Sequence, residues 1–127
     1  MKRLILIVIA VMSLGAGYQA PDYESIADAI YHAEGGIKAS RPYGIMREYC
    51  TKDKPDRCRK GCIQTIQKRY RMWQDERSTA KGSETFISYL AMSYAPLNAN
   101  NDPSGLNANW IKNVSYYLDN PKEVSHV

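Results

Sequence analysis

The chain of 127 residues has one Phe, two His and three Cys, with no internal repeat and no Pro-, Ser- or Gln-rich tract. Without low-complexity sequence there is no signature of a long disordered tail. His32 and His126 stand at no recognisable ligand spacing from the cysteines, so neither a metal site nor a cofactor is expected. No apolar run reaches the roughly 20 residues that a bilayer-spanning helix needs. Charge of one sign is scarce too: seventeen Lys and Arg against thirteen Asp and Glu give a formal +4. That is too mild to argue for a nucleic-acid partner. The length fits one small domain and excludes a two-domain enzyme.

What is present begins with the first seventeen residues. Lys2 and Arg3 precede an apolar run from Leu4 to Leu14, and Gly15, Ala16 and Gly17 follow it. A charged start, a short apolar centre and small residues at the end form the pattern of a secretory signal peptide. Residues 1–17 are therefore expected to be removed, leaving a single domain over 18–127. The mature chain would hold fifteen bases against thirteen acids, a balance of +2. The expected location is exported, periplasmic or extracellular, with no stable membrane insertion after signal removal.

Export places the cysteines where thiols pair. Cys58 and Cys62 lie four apart in an expected helix, where side chains point the same way, so Cys50 in the preceding loop is the expected partner of one of them. Which of the two pairs stays open at this level. The leftover thiol is expected to be buried on the apolar face of the helix.

Apolar spacing predicts a mainly α fold, α+β at most, with about four helices around a small loop or hairpin lobe. Asp22 can cap a first helix over 23–34, in which Ile26, Ala29, Ile30 and Ala33 recur until Gly35 and Gly36 stop it. Residues 37–55 break the pattern with Pro42, Gly44 and Pro55, and any strand content is expected there. Asp56 can cap the longest helix, whose stripe is Cys58, Cys62, Ile63, Ile66, Tyr70 and Trp73. Ser83 can cap a third helix over 84–94, and Pro96 ends it. Residues 98–107 are dense in turn formers. A last helix over 108–118 places Trp110, Ile111, Val114, Tyr117 and Leu118 on one side, and Pro121 follows it.

Glu34 stands apart among the titratable residues. It ends an apolar-striped helix, and the two glycines after it leave the approach free of side chains. Ile30 precedes it by one turn, and the negative end of the helix dipole opposes its ionisation, so both effects are expected to raise its pKa. A carboxyl group that keeps its proton near neutral pH can serve as a general acid toward a glycosidic oxygen.

The run His32-Ala33-Glu34-Gly35-Gly36, followed by Pro42-Tyr43-Gly44-Ile45, resembles the start of the lysozyme-like superfamily, phage-type muramidases above all. Ser93-Tyr94-Ala95-Pro96 and the segment from Trp110 to Tyr117 are similar to the late helices of soluble lytic transglycosylases. The resemblance spans most of the mature chain through short motifs. It implies a small lysozyme-like frame in which a helix ends in the catalytic Glu and a hairpin with an aromatic-Gly-apolar element faces it across a sugar cleft. It implies an exported enzyme, lytic transglycosylase or muramidase in type, that cleaves the glycan strands of peptidoglycan as a monomer. Such transglycosylases work with one Glu, the N-acetyl group of the substrate acting as internal nucleophile and the product closing into an anhydro sugar.

A two-carboxylate mechanism would need an acid in the hairpin region, and between Glu34 and Asp53 there is only Glu48, at a position that matches no motif. Glu34 alone suits the single-acid scheme. Tyr43 and Tyr94 are candidates for packing against a sugar, since each offers a flat face and a polar tip. Asn100 and Asn101, in the amide-rich 98–107 loop, are candidates for hydrogen bonding to N-acetyl groups. Asn98, Asn100 and Asp102 alternate as in a calcium loop, but no bidentate Glu follows at the required spacing. Lys52, Lys54, Arg57, Arg59 and Lys60 read as a solvated basic face, with salt-sensitive attraction to an anionic wall polymer as the alternative. The alternative to an enzyme is a secreted module that binds cell wall or a partner on the same frame without catalysis.

Overall fold

The computed structural model describes residues 20–77, 85–95, 100, 102 and 104–124. The expected signal segment lies outside the described residues. Within them the fold is mainly α, with four α-helices and no strand: α1 (Tyr23–Ala33), α2 (Pro55–Arg77), α3 (Phe86–Tyr94) and α4 (Trp110–Asp119). No helix among the described residues is long and apolar enough to cross a membrane.

Local chemistry sets the helix ends. The Asp22 carboxylate accepts from the backbone N–H groups of Glu24 (3.1 Å) and Ser25 (3.2 Å), which satisfies two of the orphan donors at the start of α1. At its other end Gly35 takes a left-handed conformation, φ 103°, and its N–H donates to the His32 carbonyl at 3.1 Å. A side chain at that position would be strained, so the glycine stops the helix. Three expected starts shift, that of α4 from 108 to Trp110, because residues Leu106–Asn109 form a 3-10 turn ahead of it. α2 opens at Pro55, whose fixed φ suits a first helical position and whose missing N–H would have no partner there. Asp56 therefore sits in the first turn rather than at the cap. α3 starts at Phe86, where Thr85 Oγ1 accepts from the Ser88 N–H at 3.2 Å, while Ser83 lies outside the described residues.

Helix α1 packs against α4 and α2, α2 against α3, and α3 against α4, so the four close into a ring around one core. Ile30, Ile66, Leu90 and Val114, one from each helix, are fully buried at its centre. Each contributes about 1.5–3 kcal/mol of apolar burial. Residues 36–54 hold two 3-10 turns, Gly36–Lys38 and Pro42–Gly44, in place of a hairpin. The prolines and glycines that break the helical period there serve tight turns, not a ladder. The Pro42–Gly44 turn is wedged against α1 and α2. A disulfide between Cys50 and Cys58 ties the end of this segment to the first turn of α2, and Cys62 is the free, buried thiol.

Candidate active site

Glu34 is the residue that follows the last turn of α1, with its backbone N–H still donating to the Ile30 carbonyl at 2.9 Å. Its side chain is half-buried and meets two elements distant in sequence. From α4, Trp110 Nε1–H donates to Glu34 Oε1 at 2.9 Å. From the 3-10 turn, Gly44 presents its bare Cα: a Cβ there would lie 2.8 Å from the carboxyl carbon and 2.8 Å from Oε1. The carboxyl group is thus held between an indole N–H and a glycine that leaves it room. Oε2 takes no hydrogen bond from a described residue and is not sealed from solvent.

Burial pushes the Glu34 pKa above its ordinary value, and the Trp110 hydrogen bond pulls part of that rise back by favouring the ionised form. Among the described residues no second carboxylate shifts it. Glu48, the acid nearest in sequence on the C-terminal side, is exposed. A carboxylate at the roughly 5–5.5 Å of a paired-acid glycosidase would push the proton affinity of its neighbour through like charge. The arrangement therefore offers one carboxyl group that can give up and recover one proton.

The turn that brings Gly44 to this position is strained on purpose. Tyr43 is the one described non-glycine residue with positive φ, 58°, and Gly44 follows at 64°. A left-handed Tyr costs about 1–2 kcal/mol, and packing offsets it. The ring lies 5.1 Å from that of Tyr31, and its hydroxyl accepts from Arg59 at 3.4 Å. Tyr43 is only 1% exposed, so it offers no face to a ligand and acts as the anchor of the turn. Arg59 in turn pairs with the buried Asp28 and, at 3.4 Å, with Glu24. The expected solvated basic face is reduced accordingly: Lys52, Lys54, Arg57 and Lys60 are exposed, whereas Arg59 turns inward.

Tyr94 at the end of α3 does reach the site. Its ring stacks on Trp110 at 5.4 Å and 16°, its hydroxyl lies 3.3 Å from Cys62 Sγ, and it lines a groove of about 570 Å³ together with Gly44 and Tyr49. Burial, ahead of the Tyr94 contact that opposes it, pushes the Cys62 thiol up to about 12, so it is neither thiolate nor nucleophile at neutral pH. Asn100 is exposed and Asn101 lies outside the described residues. Asp102, from the same loop, is a turn cap: its carboxylate accepts from the N–H groups of Leu106 and Asn107, both at 2.8 Å.

No family model, curated protein or solved structure matches the chain. The site therefore stands on its own geometry. Among the described residues no cluster of His, Cys, Asp and Glu is placed to hold a metal ion. Trp110 is the residue that sequence reasoning missed in this role, having been assigned only to a buried helix face. A contact across 76 positions leaves no local signal; only a buried indole N–H in need of an acceptor hints at it.

Proposed function

We propose that the chain is an exported, lysozyme-like enzyme that cleaves the glycan strands of peptidoglycan, with Glu34 as its general acid and then its base. The observation that carries this reading is the single carboxyl group held between Trp110 and Gly44, a glycine that also lines the groove, with its pKa raised by burial. In the first step protonated Glu34 gives its proton to the bridging glycosidic oxygen while the C1–O bond breaks. The N-acetyl oxygen of the same sugar bonds to C1 and carries the positive charge. In the second step the Glu34 carboxylate takes a proton from the attacking hydroxyl, either the sugar's own O6–H or a water, as that oxygen bonds to C1 and the N-acetyl bond opens. Glu34 is then protonated again. Among the described residues no second carboxylate shifts the Glu34 pKa, and that supports the N-acetyl group as nucleophile.

The test is release of muropeptides from purified sacculi, with products read by mass spectrometry. Wild-type protein is expected to release them and Glu34→Gln, folded by circular dichroism, to release none. An anhydro end and a reducing end differ by one water, so the masses identify the attacking hydroxyl. Wild-type protein that releases nothing between about pH 4 and 8, the range in which a raised carboxyl works, overturns the proposal.

A further inference from the structure

The groove that Gly44 and Tyr94 line has a charge of its own. Eleven residues line it; Arg47, Lys68 and Arg69 are cations and none is acidic. Lys68 and Arg69 are consecutive on α2, and Arg47 comes from the segment after the Pro42–Gly44 turn. None of the three forms an ion pair with a carboxylate of a described residue, although Arg69 meets the Tyr89 hydroxyl, which itself donates to Glu76 Oε1 at 3.0 Å. Like charges gathered in one groove repel each other until an anion joins them.

The walls between these cations are suited to sugar rings. Tyr49 packs on the bare backbone of α2 at Gly61, where a Cβ would lie 2.6 Å from its hydroxyl, and 43% of Tyr49 remains exposed. Tyr94 lines the groove as well, and Ser93 and Thr65 add hydroxyls. A neutral glycan would use the tyrosines and leave the cations idle. A glycan with carboxylates on its side chains would use both.

We infer that the groove recognises glycan strands through the free carboxylates of their stem peptides, with Arg47, Lys68 and Arg69 as the donors and Tyr49 and Tyr94 as the platforms. This rests on the glycan-cleaving reading of Glu34 and adds the substrate feature that it selects. Each partly solvated contact between a cation and a carboxylate contributes little by itself, and a pair or trio together gives about tenfold in affinity.

Binding tests this apart from cleavage. Glu34→Gln protein is mixed at low salt with sacculi stripped of phosphate polymers, either intact or with their free carboxylates converted to neutral amides by carbodiimide and ammonia, and the bound fraction is measured by co-sedimentation. Intact sacculi are expected to bind about tenfold more tightly, the preference should shrink as salt shortens the range of charge, and adding Lys68→Ala with Arg69→Ala should bring the ratio of the two affinities close to one. Equal binding to both preparations, or a preference that ignores both salt and the double substitution, overturns the inference. If wild-type protein cuts sacculi yet binds both preparations alike, only this inference fails; if the preference holds and nothing is cut, only the catalytic reading fails.

Discussion

Two forces meet at the Glu34 carboxyl group, and they pull its proton in opposite directions. Burial holds the proton on, while the Trp110 N–H, by donating to Oε1, favours its loss. Trp110→Phe keeps a ring against Tyr94 and removes only the donor, so the pKa of Glu34 should rise further above its wild-type value. In a muropeptide-release assay the alkaline limb of the rate profile should move to higher pH, because that limb follows ionisation of the acid. An unmoved limb would mean that the indole is packing and nothing more. The same proton affects folding. A carboxyl whose folded pKa lies above its unfolded one gives stability that is complete below the ordinary carboxylate range and is lost as pH rises through the folded value. Glu34→Gln has no such loss. Its melting temperature relative to wild type should therefore climb between about pH 3.5 and pH 7, and a pH-independent difference would show that burial does not hold the proton.

The Pro42–Gly44 turn shows how much of the site belongs to an element rather than a side chain. Two successive left-handed residues, the first a buried tyrosine, place a Cα where any Cβ would collide with the acid. Gly44→Ala would meet both the strain of positive φ and that collision. A loss of about 1–3 kcal/mol in denaturant unfolding is expected, with muropeptide release falling far more than the folded fraction does; full activity would mean that the carboxyl has room to retreat. The sequence carries part of this. Glu34 at a helix end before two glycines, and Gly44 between Tyr and Ile, stand out from local chemistry alone, and apolar period 3.6 marks every helix. The start of α2 differs by two residues because proline is tolerated at a first helical position, where an N–H would have no partner, and α3 starts later because Thr85 is the cap. Tyr43 shows the limit of local reading. An aromatic in a loop looks available to a ligand, and only the position of Arg59, sixteen residues on, shows that its hydroxyl is taken and its ring buried.

At the scale of the whole molecule, the ring of helices leaves the 36–54 segment as a flap whose fit decides whether Gly44 faces Glu34. Two ties hold it: the Tyr43–Arg59–Asp28 chain in the middle and the Cys50–Cys58 disulfide at its end. The disulfide closes eight residues of chain, a loop whose closure entropy contributes about 2.5 kcal/mol. Cys50→Ser with Cys58→Ser should lower the melting temperature by about 10 °C for a domain of this size. That variant keeps Cys62 as its single thiol, which burial holds protonated, with a pKa pushed up to about 12. Alkylation of the native variant should then be slow and should rise with unfolding. If labelling of Cys62 and loss of helix by circular dichroism share one denaturant midpoint, the flap and the helical ring unfold together. Earlier labelling would instead show that the wall around Tyr94 and Cys62 opens before the ring does, and the disulfide would then be holding the site closed more than it holds the fold together.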